Sequence, residues 1–214
     1  MNKQIAKEML FKVVNILDKY HIEYFLSLGT LLGAYRDRDF IDNDNDIDLG
    51  VFYPFYFDFN LYTQFFNELK EVGIRCDSLC GKNVMHLEYK EVGMDLYTYH
   101  FEESHKFYYL LAHELHLYTQ NSIVPLKKIS FLDRDFACPN NIEEYLELEY
   151  GFDWKTPLDI KGGGKNVIYF KDGEDSKCNF YVIGVYNMHD AILDDKFNFT
   201  SKDIFKSKWE NREK

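Results

Sequence analysis

The chain has 214 residues, enough for one large domain, or one domain with an appendage, that buries a core without disulfide staples. Lys and Arg number 25 against 36 Asp and Glu, and a formal net charge of -11 repels nucleic acid and anionic lipid, which argues against nucleic-acid binding. Hydrophobic content of 46% with 29% charged residues is that of a folded globule and excludes a disordered chain.

In chain order, residues 2–20 read as an amphipathic helix with Ile5, Met9, Val13, Leu17 and Tyr20 on one face. Residues 24–28 read as a buried strand ended by Gly29, followed by a short helix over 30–35 and a polar loop over 36–45. Alternation over 46–52 predicts a strand. A helix begins near Asn60, with Leu61, Phe65, Leu69 and Val72 on one face, and stops at Gly73. Further strands are expected at 74–79, 84–89 and 94–99, whereas 102–122 mixes helix and strand signals. Asn140 and Glu143 have capping-box spacing, which predicts a helix ending at Gly151. Beyond Trp154 come a turn at Gly162-Gly163-Gly164, a strand at 180–186 and a charged tail. The pattern is α+β, a mixed sheet with flanking helices.

No uncharged apolar run reaches about 18 residues, so no membrane-spanning helix is expected. The N-terminus lacks the apolar stretch of a signal peptide, and the four cysteines include no Cys-x-x-Cys pair. Free thiols in a cytoplasmic protein are the expectation, with Cys76 and Cys80 offering at most half a zinc site.

Chemistry concentrates between Leu28 and Asp48. On a strand, Asp44, Asp46 and Asp48 project from one face, each about 7 Å from the next. At an effective dielectric near 20 each adjacent pair repels by roughly 2–2.5 kcal/mol. Ile47, Leu49, Val51 and Phe52 mark the segment as half buried, where an acidic row is costly without a divalent cation. Oxygen ligands suit Mg²⁺ or Mn²⁺. A solvated acidic turn is the alternative; an EF-hand lacks its Gly and closing Glu at the required spacing. Gly29-Thr30, after a buried strand, lets backbone N–H groups and a hydroxyl approach a phosphate. Arg36 either clamps that phosphate or balances Asp37 and Asp39. Asp95, alone between Met94 and Leu96, needs a partner.

The run Gly29-Thr30-Leu31-Leu32-Gly33-Ala34, then Arg36, Phe40-Ile41, Asp44 and Asp46-Ile47-Asp48, resembles the signature of the LicD/fukutin family. Asp42-Asn43 stands where that family has Pro-Trp, Asn45 replaces its middle Asp, and Asp37 and Asp39 replace its usual His and Gly. These departures bear on donor or acceptor preference more than on the metal site. The resemblance extends over about residues 20–157, including Asp95 as a third carboxylate and the closing Tyr150-Gly151 with Trp154. It implies a nucleotidyltransferase (polymerase-beta-like) fold, with 1–157 as the catalytic domain; residues 158–214 lie beyond the resemblance and are expected to form a C-terminal extension packed on the same domain. It further implies transfer of a phosphoalcohol such as phosphocholine or ribitol phosphate from a CDP-activated donor, CDP-choline for example, to a glycan or lipid-linked glycan hydroxyl. In that scheme Asp46, Asp48 and Asp95, with Asp44, hold Mg²⁺ or Mn²⁺; Asp95 also accepts the acceptor's proton, and Gly29, Thr30 and Arg36 bind the donor phosphate. A nucleotidyltransferase acting on a nucleoside triphosphate, and an inactive binding module, are the alternatives. A peripheral membrane contact is compatible with this reading.

Other candidates weigh less. His100, His105, His113 and His116 invite a zinc reading, but His113-Glu114-Leu115-His116 is one residue short of the protease motif, so packing roles are favoured. Gly162-Gly163-Gly164-Lys165 lacks the first glycine and Ser/Thr of a phosphate loop. The aromatic run from Phe52 to Phe57 reads as a strand end under a helix rather than a membrane or sugar patch.

Overall fold

The computed structural model describes residues 1–42, 44–52, 59–80, 83–103, 106–111, 115–151 and 153–157. The run over 53–57, His105, His113, Cys178, the triple glycine, the strand predicted over 180–186 and the extension over 158–214 lie outside the described residues.

Helix α1 (Lys3–Lys19) starts where the Asn2 side chain accepts from the Gln4 and Ile5 N–H groups. Its 3.6-residue period buries Met9, Val13 and Leu17, with Ile5 and Tyr20 at the margin. The sheet comprises β1 (Tyr24–Leu26), β2 (Asp46–Phe52), β3 (Arg75–Cys80), β4 (Val84–Tyr89), β5 (Val92–Glu102), β6 (Phe107–Leu111) and β7 (Leu115–Thr119). Its main path runs β1-β2-β5-β4-β3, while β6 pairs with the end of β5 and carries β7. Among the described strands only β2 and β5 run parallel; α2 (Leu28–Leu32) precedes β2, and α3 (Phe59–Glu71) follows it. The stretch with mixed signals thus resolves into β6, β7 and the one-turn helix α4 (Gln120–Ile123).

The β2–β5 register explains why the sheet carries both core and chemistry. Ile47 faces Met94 and Leu49 faces Leu96, all fully buried, while the alternate positions set Asp48 opposite Asp95. Gly50 is a packing requirement, since a Cβ there would lie 2.5 Å from the Phe25 ring.

Three expectations are corrected. The short helix begins at Leu28, two residues early, and gives way to a π-helical turn over Gly33–Asp37. Gly33 permits that turn, because a Cβ there would lie 2.6 Å from the Asp39 carbonyl oxygen. The last helix, α5 (Ile142–Tyr150), is capped by Asn141, whose side chain accepts from the Glu144 N–H; Asn140 instead donates to the Asn121 carbonyl. In Asn-Asn-Ile-Glu-Glu both registers satisfy the capping spacing, so packing chose. Finally, β8 (Lys127–Phe131) and β9 (Arg134–Cys138) form an unexpected hairpin. Its two turn residues, Leu132 and Asp133, both have positive φ without glycine or asparagine to announce it.

Candidate active site

Strand β1 delivers the chain to Ser27, and the next residue, Leu28, adopts a left-handed backbone with φ +39. Gly29 then comes against two carboxylates: a Cβ there would sit 2.8 Å from Asp44 Oδ2 and 3.0 Å from Asp48 Oδ2. Thr30 locks onto β2 reciprocally. Its Oγ1 accepts from the Asp48 N–H at 2.8 Å, and its own N–H donates to Asp48 Oδ2 at 3.2 Å. Both groups of Thr30 thus serve Asp48, a use different from the expected phosphate contact.

Asp44, Asp46 and Asp48 each offer one oxygen within 4.8 Å of the others. Their oxygens thus come closer than the backbone spacing of about 7 Å between alternate strand positions; Asp46 and Asp48 lie on β2, and Asp44 precedes it. At 4.8 Å each charged pair repels by about 3.5 kcal/mol at an effective dielectric near 20. Burial, then the charges of Asp44 and Asp95, pushes the Asp46 carboxyl up to about 6. Burial, followed by Asp46, Asp44 and Asp95, raises Asp48, offset in part by the Thr30 N–H. Burial also raises Asp44. Three converging hard oxygens beside a glycine that leaves the approach open fit a divalent cation, whose charge offsets this repulsion.

Asp95 stands on β5 opposite Asp48. Its Oδ1 lies 2.5 Å from His86 Nδ1, and its Oδ2 accepts from the Tyr97 hydroxyl at 3.1 Å. Burial first, then the neighbouring Asp48 and Asp95, raises the Tyr97 hydroxyl far above its ordinary range, so it remains a donor. The structure therefore brings Asp44, Asp46, Asp48 and Asp95 to one face with Gly29 and Thr30. His86 and Tyr97 were missed by sequence reasoning. Tyr97 was accessible by alternation from Asp95. His86 follows from the two-residue turn Lys90-Glu91, which pairs Tyr89 with Val92 and hence His86 with Asp95.

Arg36 is drawn elsewhere. Its Nε and Nη2 donate to the Asp37 carboxylate at 2.8 and 2.7 Å, and Nη1 donates to the Trp154 carbonyl at 3.3 Å. Asp39 pairs with Lys3 instead. Arg36 thus balances Asp37 and ties the π-helical turn to the chain after α5. The described histidines of the central cluster separate: His100 Nε2 meets Asn83, and His116 Nδ1 meets the buried Glu149. Cys138 is a buried free thiol.

A buried polar network lies beneath the turn. Ser27 Oγ, Tyr99 OH and Tyr145 OH form a triangle of 2.7, 2.9 and 2.7 Å sides, and Tyr145 OH also accepts from the Leu28 N–H at 3.2 Å. Tyr118 donates to Glu149 at 2.5 Å.

A model described as the LicD/FKTN/FKRP nucleotidyltransferase domain matches residues 21–141. A human protein named ribitol-5-phosphate transferase FKTN is 27% identical over 173 residues, covering 73% of this chain and 34% of its own. An uncharacterized Rickettsia typhi protein is 30% identical over 132 residues, covering 61% of this chain and 38% of its own. This chain therefore spans about a third of the length of these curated relatives. Among solved structures, the lincomycin-bound lincosamide adenylyltransferase LnuA is similar at TM-score 0.48 and 15% identity, covering 70% of this chain and 89% of that one. The solution structure of the antibiotic-resistance factor ANT(2'')-Ia is similar at TM-score 0.48 and 14% identity, covering 67% of this chain and 71% of that one. The family match runs through more than half of the residues, so the chain belongs to the LicD/FKTN/FKRP family and has its nucleotidyltransferase fold, an α+β mixed sheet with flanking helices.

Proposed function

We propose that the protein transfers a phosphoalcohol, such as ribitol phosphate or phosphocholine, from a CDP-activated donor to a hydroxyl of a glycan or its lipid-linked precursor. The observation that carries this reading is the convergence of Asp44, Asp46 and Asp48 beside Gly29, with Asp95 in register on the neighbouring parallel strand. Relatives named ribitol-5-phosphate transferases support the choice of a phosphoalcohol. Among the described residues no helix is long and apolar enough to cross a membrane.

Asp46 and Asp48, with Asp44 and Asp95, would hold Mg²⁺ or Mn²⁺, which when bound neutralises the donor diphosphate and the charge gathering on the departing nucleotide. Thr30 acts through Asp48, its N–H donating to the carboxylate and its hydroxyl accepting from the Asp48 backbone N–H. Gly29 leaves the space through which a phosphate oxygen approaches the carboxylates. Arg36 reaches a phosphate by exchanging Asp37 for it. His86 and Tyr97 fix the orientation of Asp95, whose carboxylate takes the proton of the attacking hydroxyl. The acceptor oxygen forms its bond to the phosphorus distal to the nucleoside; that phosphorus releases its bridging oxygen, and CMP departs.

The test is the leaving group. Incubation with a CDP-alcohol, a glycan acceptor and Mn²⁺ is expected to release CMP and leave the phosphoalcohol on the acceptor. Pyrophosphate release from CTP or ATP, with labelled nucleotide retained on the acceptor, would replace this reading by nucleotidyl transfer. Turnover of neither donor class would leave the inactive binding module.

A further inference from the structure

We infer that Tyr145, on α5 and remote in sequence from the carboxylates, is a positioning residue of this site: its hydroxyl holds Leu28 in the left-handed backbone that presents Gly29 and Thr30 to Asp44 and Asp48. Leu28 has φ +39, a conformation that L side chains rarely adopt and that persists only where surrounding contacts impose it. The imposing contact is the Leu28 N–H donated to Tyr145 OH at 3.2 Å.

The flanking bonds leave the turn little freedom. The Ser27 N–H donates to the Asp48 carbonyl at 3.2 Å, which fixes the entry to β2. The Ser27 side chain, although it precedes α2, caps no helix amide and points into the triangle with Tyr99 and Tyr145. A phenol offers one proton and two lone pairs, and Tyr145 meets three partners, so its hydroxyl is fully used. Tyr118 commits its own proton to Glu149, a carboxylate only 4% exposed that also meets His116. The Tyr145 ring is anchored independently, stacked on Tyr118 at 4.9 Å with an interplanar angle of 4°. Removing the hydroxyl alone therefore leaves the packing and frees the turn.

The kinetic consequence rests on the proposed function, but the structural claim does not, and the experiment separates the two. Amide hydrogen exchange and Mn²⁺ calorimetry are measured on the full chain for wild type, Tyr145→Phe, Tyr118→Phe and the double variant Tyr145→Phe/Leu28→Gly. In Tyr145→Phe the Leu28 and Thr30 amides are expected to exchange at least about tenfold faster, while those of β4 are unchanged. Mn²⁺ affinity is expected to fall about tenfold, since Asp48 loses its fixed partner. Tyr118→Phe, which disturbs the same core but leaves Leu28 its acceptor, should change neither quantity beyond about twofold. Adding Leu28→Gly should restore most of the affinity, because glycine takes a positive φ without strain. A core-wide stabilising role would not produce that rescue. Wild-type exchange and affinity in folded Tyr145→Phe, or equal losses in Tyr118→Phe, overturn the proposal. Should Tyr145→Phe fail to fold, the wild-type Leu28 amide decides: protection like that of Phe25 supports the proposal, and exchange as fast as exposed turns overturns it. Absence of Mn²⁺ binding in the wild type would refute the metal reading alone, with the exchange data still deciding the role of Tyr145.

Discussion

Replacing Asp46 by Asn should make the metal-free protein more stable at neutral pH while abolishing its response to divalent ions. Asp46 shares with Asp44 and Asp48 a cluster whose oxygens lie within 4.8 Å of one another. Burial, then the charges of Asp44 and Asp95, raises its carboxyl from 3.8 to about 6 in the folded chain, a shift worth about 3 kcal/mol. Partial exposure screens the effect to about 2 kcal/mol. A carboxyl raised on folding binds its proton more tightly in the native state. Its contribution is thus fully present below about pH 4 and lost as pH rises through about 6. Asn carries no proton to lose, so Asp46→Asn should match wild type at pH 4 and exceed its Tm by roughly 4–8 °C at pH 7 in chelator. Mn²⁺ should invert that order, since saturation at about 100 times Kd adds about 2.7 kcal/mol to wild type and little to the variant. Thermal melts across pH 4–8, with EDTA or Mn²⁺, read both effects. Equal melting temperatures at pH 7 in EDTA would refute the electrostatic reasoning, and unchanged Mn²⁺ affinity by calorimetry would remove Asp46 from the ligand set.

Gly29→Ala should lower Mn²⁺ affinity about tenfold, since the added Cβ meets Asp44 Oδ2 at 2.8 Å and Asp48 Oδ2 at 3.0 Å. Unfolding free energies from denaturant titration should stay within about 1 kcal/mol of wild type, because Gly29 already lies in α2 and alanine favours that backbone. Loss of folding without loss of affinity would contradict this account. Asp95→Asn should lower kcat by about 10²–10⁴ with little change in the donor KM, as expected for a group whose proton transfer belongs to the transition state. Near wild-type kcat would take Asp95 out of the proposed chemistry.

Much of the site's first half was legible locally. Period-2 alternation over Asp46–Phe52 marks both the strand and the face that carries its carboxylates, because successive side chains in a strand point to opposite sides. The 3.6-residue period of α1 likewise identifies Met9, Val13 and Leu17 as core. The Gly29-Thr30 turn lies close enough in sequence to Asp48 for the motif to carry both. What lay beyond that reach was decided by packing between distant segments. Asp95 meets Asp48 only through a parallel pairing across 47 residues, and His86 joins it only through the register of β4 on β5. Arg36 has a local alternative to phosphate in Asp37, but the bond to the Trp154 carbonyl that completes its placement comes from the far end of α5. The Tyr145 hydroxyl reaches Leu28 from 117 positions away, on a helix whose sequence declares an amphipathic face and nothing about its partner. Propensity and periodicity act over one or two turns of chain, so they set each element and the faces it presents. Which faces meet, and which backbone conformations such as Leu28 are thereby held, depends on simultaneous burial of the whole core.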